Sequence, residues 1–131
     1  MSVSAYKRTV RDNASPRDIE RSIFSRITAA LAQHAATYDQ ATDSITRMAL
    51  LQGSLQPALL ENTRLWALLR TDLSHPDNAL PPETRAGLIS LSHAVDRQTT
   101  AILRGEGLVQ GLLDINRPII DGLAGIAPEG V

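Results

Sequence analysis

The sequence predicts an all-α protein, an antiparallel bundle of four or five helices with no sheet. Apolar residues recur at three- and four-residue steps through most of the chain. No segment alternates apolar and polar residues with period two over a useful length. The periodic segments are joined by short stretches of turn chemistry, such as Ser74-His75-Pro76-Asp77-Asn78 and Gly105-Glu106-Gly107. A chain of 131 residues makes one domain. It can bury roughly two-thirds of its extended surface without disulfide or metal staples.

Residues 1–14 read as an N-terminal arm, residues 15–125 as a single helical domain and residues 126–131 as a C-terminal tail. The first helix opens at Ser15-Pro16-Arg17-Asp18. Ser15 suits the cap, Pro16 the first helical position, and Asp18 the first turn, where the helix dipole favours a carboxylate. Ile19, Ile23, Ile27, Ala30 and Leu31 form its stripe. The stripe weakens from Ala35 to Asp43, where the helix either ends or crosses a polar stretch. Asp43 or Ser44 is a suitable cap for a second helix carrying Ile45, Met48, Leu51 and Leu55. Gly53 and Pro57 predict a kink or a restart, because proline removes a backbone donor and crowds the preceding turn. Leu59, Asn62, Trp66 and Leu69 then carry the period to about Asp72. Pro81-Pro82 opens the next helix, with Glu83 in its first turn. Leu88, Leu91, Val95 and Ile102 are its stripe, Ile89 widens it, and Gly105 ends it. The last helix runs from about Leu108 to Leu123, with Pro118 expected to bend it.

Composition removes several function classes. The formal net charge is -1, which speaks against a strongly basic nucleic-acid binder. There is no cysteine, hence no disulfide and no thiolate chemistry. The aromatics are Tyr6, Phe24, Tyr38 and Trp66, too few for a base-stacking platform. The longest apolar run is about five residues, against roughly 20 for a membrane span. The N-terminus lacks the apolar core of a secretory signal, so a cytoplasmic location is expected. Charge is uneven along the chain. Residues 1–30 hold Lys7, Arg8, Arg11, Arg17, Arg21 and Arg26 against Asp12, Asp18 and Glu20, a net +3. Residues 106–131 hold Glu106, Asp114, Asp121 and Glu129 against Arg117, a net -3.

No constellation of residues points to catalysis, a metal or a cofactor. Gly105-Glu106-Gly107-Leu108-Val109-Gln110-Gly111 is like a dinucleotide fingerprint, but that motif needs a strand before its glycines. A helix–loop–helix connection followed by a small residue at a packing contact is the expected reading. His34, His75 and His93 are scattered; His93 and Asp96 share a helix face, but two ligands do not close a metal site. Asp114 and Asp121 share a face and are expected to be solvated rather than catalytic. Asn62 and Asn116 fall beside apolar stripes. They fit either register specification inside a bundle or amides that meet a partner's backbone.

Several short motifs occur in series: Ala5-Tyr6, Ser15-Pro16-Arg17-Asp18-Ile19-Glu20, Leu65-Trp66, Asn78-Ala79-Leu80-Pro81 with Arg85-Ala86-Gly87-Leu88-Ile89-Ser90-Leu91, and Ile115-Asn116-Arg117 with Asp121-Gly122-Leu123. Their order along nearly the whole chain resembles the FlaF family of flagellar biosynthesis proteins. The resemblance implies a small cytoplasmic helical protein of alphaproteobacteria, required for flagellin synthesis and export. It implies flagellin as the partner of an export chaperone, and joint action with the regulator FlbT on flagellin translation. The alternative is direct action on flagellin messenger RNA through the basic arm. In the chaperone setting, Leu65, Trp66 and Leu69 are the first candidate anchors, since tryptophan is a favoured hot-spot residue, although Trp66 equally suits the core. Ile89, which widens its stripe, and Tyr6 in the arm follow.

Overall fold

The computed structural model describes the backbone of residues 16–129 and the side chains of residues 19–122. Helix α1 spans Pro16–Gln40, α2 Ser44–Leu50, α3 Gln56–Leu73, α4 Pro82–Leu103 and α5 Val109–Glu129. A π-helical turn, Leu51–Leu55, joins α2 to α3 and contains the one residue of that stretch with non-helical dihedrals, Gly53 at φ -86° and ψ -143°. No strand occurs among the described residues.

Cross-links set the topology. His34 and Arg26 of α1 meet Ser54 and Glu61 in that order, so α1 and α3 run antiparallel. Arg70, near the end of α3, reaches Ser92 and Asp96 in the middle of α4, while Leu59 and Leu60, nearer the start of α3, line one pocket with Thr99, Thr100 and Leu103 at the end of α4, so this pair is antiparallel too. Asp39 and Thr28 of α1 meet Val109 and Asn116 of α5, again antiparallel. The four long helices therefore go up, down, up and down, and α2 lies across one end. Short connections between amphipathic helices make this the natural closure.

The core is a continuous cluster that includes Phe24, Ile27 and Leu31 of α1, Leu59 and Trp66 of α3, Val95 and Ile102 of α4, and Leu112 and Leu113 of α5. Each fully buried side chain of this size contributes about 1.5–3 kcal/mol relative to exposure. Phe24 meets Trp66 edge-on, with ring centroids 5.6 Å apart and planes at 84°. A polar layer crosses the middle of this core. Trp66 Nε1–H donates to Asn116 Oδ1 at 2.9 Å. Asn116 Nδ2 donates to Thr28 Oγ1 at 3.0 Å and to Asn62 Oδ1 at 2.8 Å. Both asparagines are wholly buried. Of their two sequence readings, register specification is the one realised, because the amides bind each other and not the surface.

The helix ends follow the local chemistry. Asp43 caps α2 by accepting from the Thr46 N–H at 2.8 Å, and that bond holds its carboxyl below the usual carboxylate range. Gly105 and Gly107 close α4 and the loop after it at φ 80° and 70°, a region that favours glycine. They belong to a helix–loop–helix connection, as the absence of a preceding strand implied. Gly111 packs under Gln98, where an added Cβ would sit 2.6 Å from Nε2. The N-terminus of α5 has no capping side chain of its own; Asp39 of α1 supplies one, accepting from Val109 N–H at 2.7 Å and Gln110 N–H at 2.9 Å. Replacing Asp39 with alanine should destabilise the bundle by about 1–2 kcal/mol in a urea titration, the usual cost of a lost cap.

One open reading is settled and one expectation changes. The polar stretch after Ala35 does not end α1; it continues to Gln40 and buries Tyr38 against the far end of α4. The last helix does not stop near Leu123. It passes Pro118 unbroken and reaches Glu129. Ala124, Ile126 and Ala127 extend its apolar period, and an internal glycine costs only about 1 kcal/mol in a helix without stopping it. Ser15, the expected cap of α1, lies outside the described residues.

Candidate functional site

A furrow of about 240 Å³ runs between α3 and α4. Leu59, Leu60 and Thr63 line one side and Thr99, Thr100 and Leu103 the other. Both sets follow the spacing that puts one face of a helix forward. Leu60 is 48% exposed and Leu103 38% exposed. The threonines add less polarity than their names suggest. Thr99 Oγ1 donates back to Val95 O at 2.7 Å, and Thr100 Oγ1 to Asp96 O at 2.9 Å. A hydroxyl turned onto its own helix leaves the methyl as the group free to face a neighbour. Thr63 Oγ1 is buried and has no partner among the described residues. Asp96 stands at the far end of the furrow, held by Arg70 Nη2 at 2.6 Å.

The furrow opens towards the end of the bundle where α2, the π-helical turn and the α4–α5 loop meet. A second depression of about 380 Å³ lies at Gly53 and Pro57 and shares Gln56 and Leu60 with the furrow. Ile45, Met48 and Leu108, three more exposed apolar residues, belong to the same end; Ile45 is 83% exposed. Among the described residues, Leu68, on the outer face of α3, is the exposed large apolar residue away from it. Scattered surface leucines are ordinary, whereas apolar residues gathered around a concave site make that site a candidate for binding.

A family model described as the flagellar protein FlaF matches residues 2–123. The chain belongs to the FlaF family. It is therefore a flagellum-related protein, and all-α as that resemblance implied. No curated protein and no solved structure matches it. Among the described residues, no helix is long and apolar enough to cross a membrane, and no group of three or more His, Asp or Glu side chains is placed to hold a metal.

The anchors suggested by sequence are distributed differently in this FlaF chain. Trp66 is 0% exposed: of its two readings the core one is what the structure shows, and an alanine there does not test binding independently of the fold. Leu65 and Leu69 are half-buried and pack against the same core. Ile89 is half-buried on α4, in the half of the α3–α4 pair away from the furrow. Tyr6 and the basic positions Lys7, Arg8 and Arg11 lie outside the described residues, as does the Arg17 side chain. The furrow residues Leu60 and Leu103 were missed because Leu60 is off the stripe of Leu59, Asn62 and Trp66, and Leu103 follows Ile102 at a helix end. Their signal was present as a second apolar position beside each stripe, the same signal that drew attention to Ile89.

Proposed function

We propose that this FlaF-family chain is a cytoplasmic binding protein that receives flagellin before export. It covers an amphipathic terminal segment of flagellin and acts with the regulator FlbT in matching flagellin synthesis to secretion. It performs no catalytic step. The observation that carries this reading is the α3–α4 furrow, an apolar trough lined by the exposed Leu60 and Leu103 and open towards one end of the bundle. Flagellin's terminal segments are amphipathic and stay unassembled until export, so their apolar faces need a cover. A furrow between two helices takes such a face through anchors one turn apart. Hand-over at the export gate asks for an affinity between about micromolar and nanomolar, or about -8 to -12 kcal/mol.

Co-elution of the purified chain with flagellin on a sizing column tests the reading. Leu60→Asp should weaken binding by about tenfold or more while leaving the helical spectrum intact, because it puts a charge into the apolar trough of a half-exposed site. Leu68→Asp, an equally polar change outside the furrow, should leave binding unchanged. Binding should also vary little between about 50 and 200 mM salt; a steep loss would indicate phosphate contacts and favour action on messenger RNA. No co-elution, or equal effects of the two substitutions, would remove the furrow from the reading.

A further inference from the structure

Helix α2 is attached to the bundle in an unusual way. None of its seven residues is buried, and its Ile45 and Met48 face outwards. A helix this short has little stability of its own and needs tertiary packing to persist. Leu50, at its end, is half-buried against the core, and one side chain, Arg47, supplies the polar ties to the rest of the bundle. Arg47 Nε donates to Tyr38 O at 3.2 Å and Ala41 O at 3.0 Å. Its Nη1 donates to Gly105 O at 3.1 Å and Gly107 O at 3.0 Å, and its Nη2 to Asp39 O at 3.3 Å. The guanidinium also lies over the Tyr38 ring, 4.6 Å from its centroid. All five acceptors are neutral backbone carbonyls, drawn from the last turn of α1, the residue after it and the α4–α5 loop. A planar fork of donors can tie two loops together in this way; the point charge of a lysine cannot.

The other end of α2 is built to bend. Gly53 breaks the helical dihedrals, and nothing lies within 4 Å of the place where its Cβ would be. Leu51 is the buried side chain on the α2 side of Gly53, and Leu55 and Leu59 follow it at four-residue steps within the same core cluster. Leu59 also lines the furrow. Withdrawing Leu51 would bare apolar surface continuous with the furrow.

We propose that Ser44–Leu50 is a strap, latched by Arg47 and hinged at Gly53, that opens as one unit and lengthens the furrow for an incoming amphipathic helix. The motion stands on the geometry of this chain alone; its use in regulating the furrow rests on the flagellin-binding reading. Segments with few buried apolar contacts open at lower free energy than the core, and their amides then exchange together.

Hydrogen exchange on the full chain tests this. The amides of Arg47 to Leu51 should share one opening rate, faster than the amides of α1 and α5 around Leu31 and Leu112. Arg47→Ala should speed that group by about tenfold or more, with Arg47→Lys intermediate, and leave core exchange unchanged. Exchange of these amides only with the whole chain, or uniform acceleration in Arg47→Ala, would overturn the strap. Flagellin should bind several-fold more tightly to Arg47→Ala than to the native chain. Unchanged or weaker binding, with the strap amides opening independently, would overturn the lengthening of the furrow. A native chain that binds no flagellin while its strap opens would instead refute the binding role and leave the motion standing.

Discussion

Replacing Trp66 with alanine should lower the stability of the bundle by about 3–5 kcal/mol, the usual range for a large aromatic removed from a core. Two losses act together. The indole is fully buried and packs edge-on against Phe24, so its removal leaves a cavity that its neighbours fill only in part. Its Nε1–H is also the donor to Asn116 Oδ1, which then loses that partner. A domain of this size is stable by about 5–15 kcal/mol, so the variant should sit near its unfolding threshold. The midpoint of thermal unfolding should fall by about 10–20 °C. Circular dichroism melting checks it. A melt within a few degrees of the native chain would show that the α3 core is far more plastic than its packing indicates.

The second large effect is expected at Asn116. Alanine there deletes the hub of the buried layer, leaving the Trp66 N–H, the Thr28 hydroxyl and the Asn62 amide without their common partner. Each buried group left unpaired costs about 1–3 kcal/mol, and partial relaxation brings the expected total to about 3–4 kcal/mol. Asn62 Nδ2 already has no partner among the described residues, so this layer holds little slack. Asn62→Ala should be the milder change. The double variant should lose less than the sum of the singles, because both remove the same bond. Urea titration of the four proteins closes the cycle. Strict additivity would mean that the two amides do not act as one unit.

These expectations also show how legibility divides between residues. The helix starts at Pro16, Ser44 and Pro82 were readable because capping and proline geometry are properties of a few adjacent residues. The break at Gly53 was readable for the same reason. Trp66 was ambiguous. A tryptophan on an amphipathic stripe satisfies a core and a hot spot equally well, and the sequence around it does not say how many helices surround it. Leu60 and Leu103 were invisible as a pair, since 43 positions separate them and only the antiparallel pairing of α3 with α4 sets them across one furrow. Thr99 and Thr100 read as polar, and only the turn of their hydroxyls onto α4 makes their methyls the free groups.

The sequence by itself determined that this protein is helical, where most of its helices begin, and that it belongs with flagellar proteins. Period, caps and family motifs are written in neighbouring residues. Only the tertiary structure decided which apolar side chains are used up in the core and which remain for a partner. It alone brought the Arg47 guanidinium to carbonyls 58 and 60 residues away. Burial and multi-centre hydrogen bonding depend on surfaces contributed by distant helices, and the free energy of each side chain is set by that company rather than by its place in the chain.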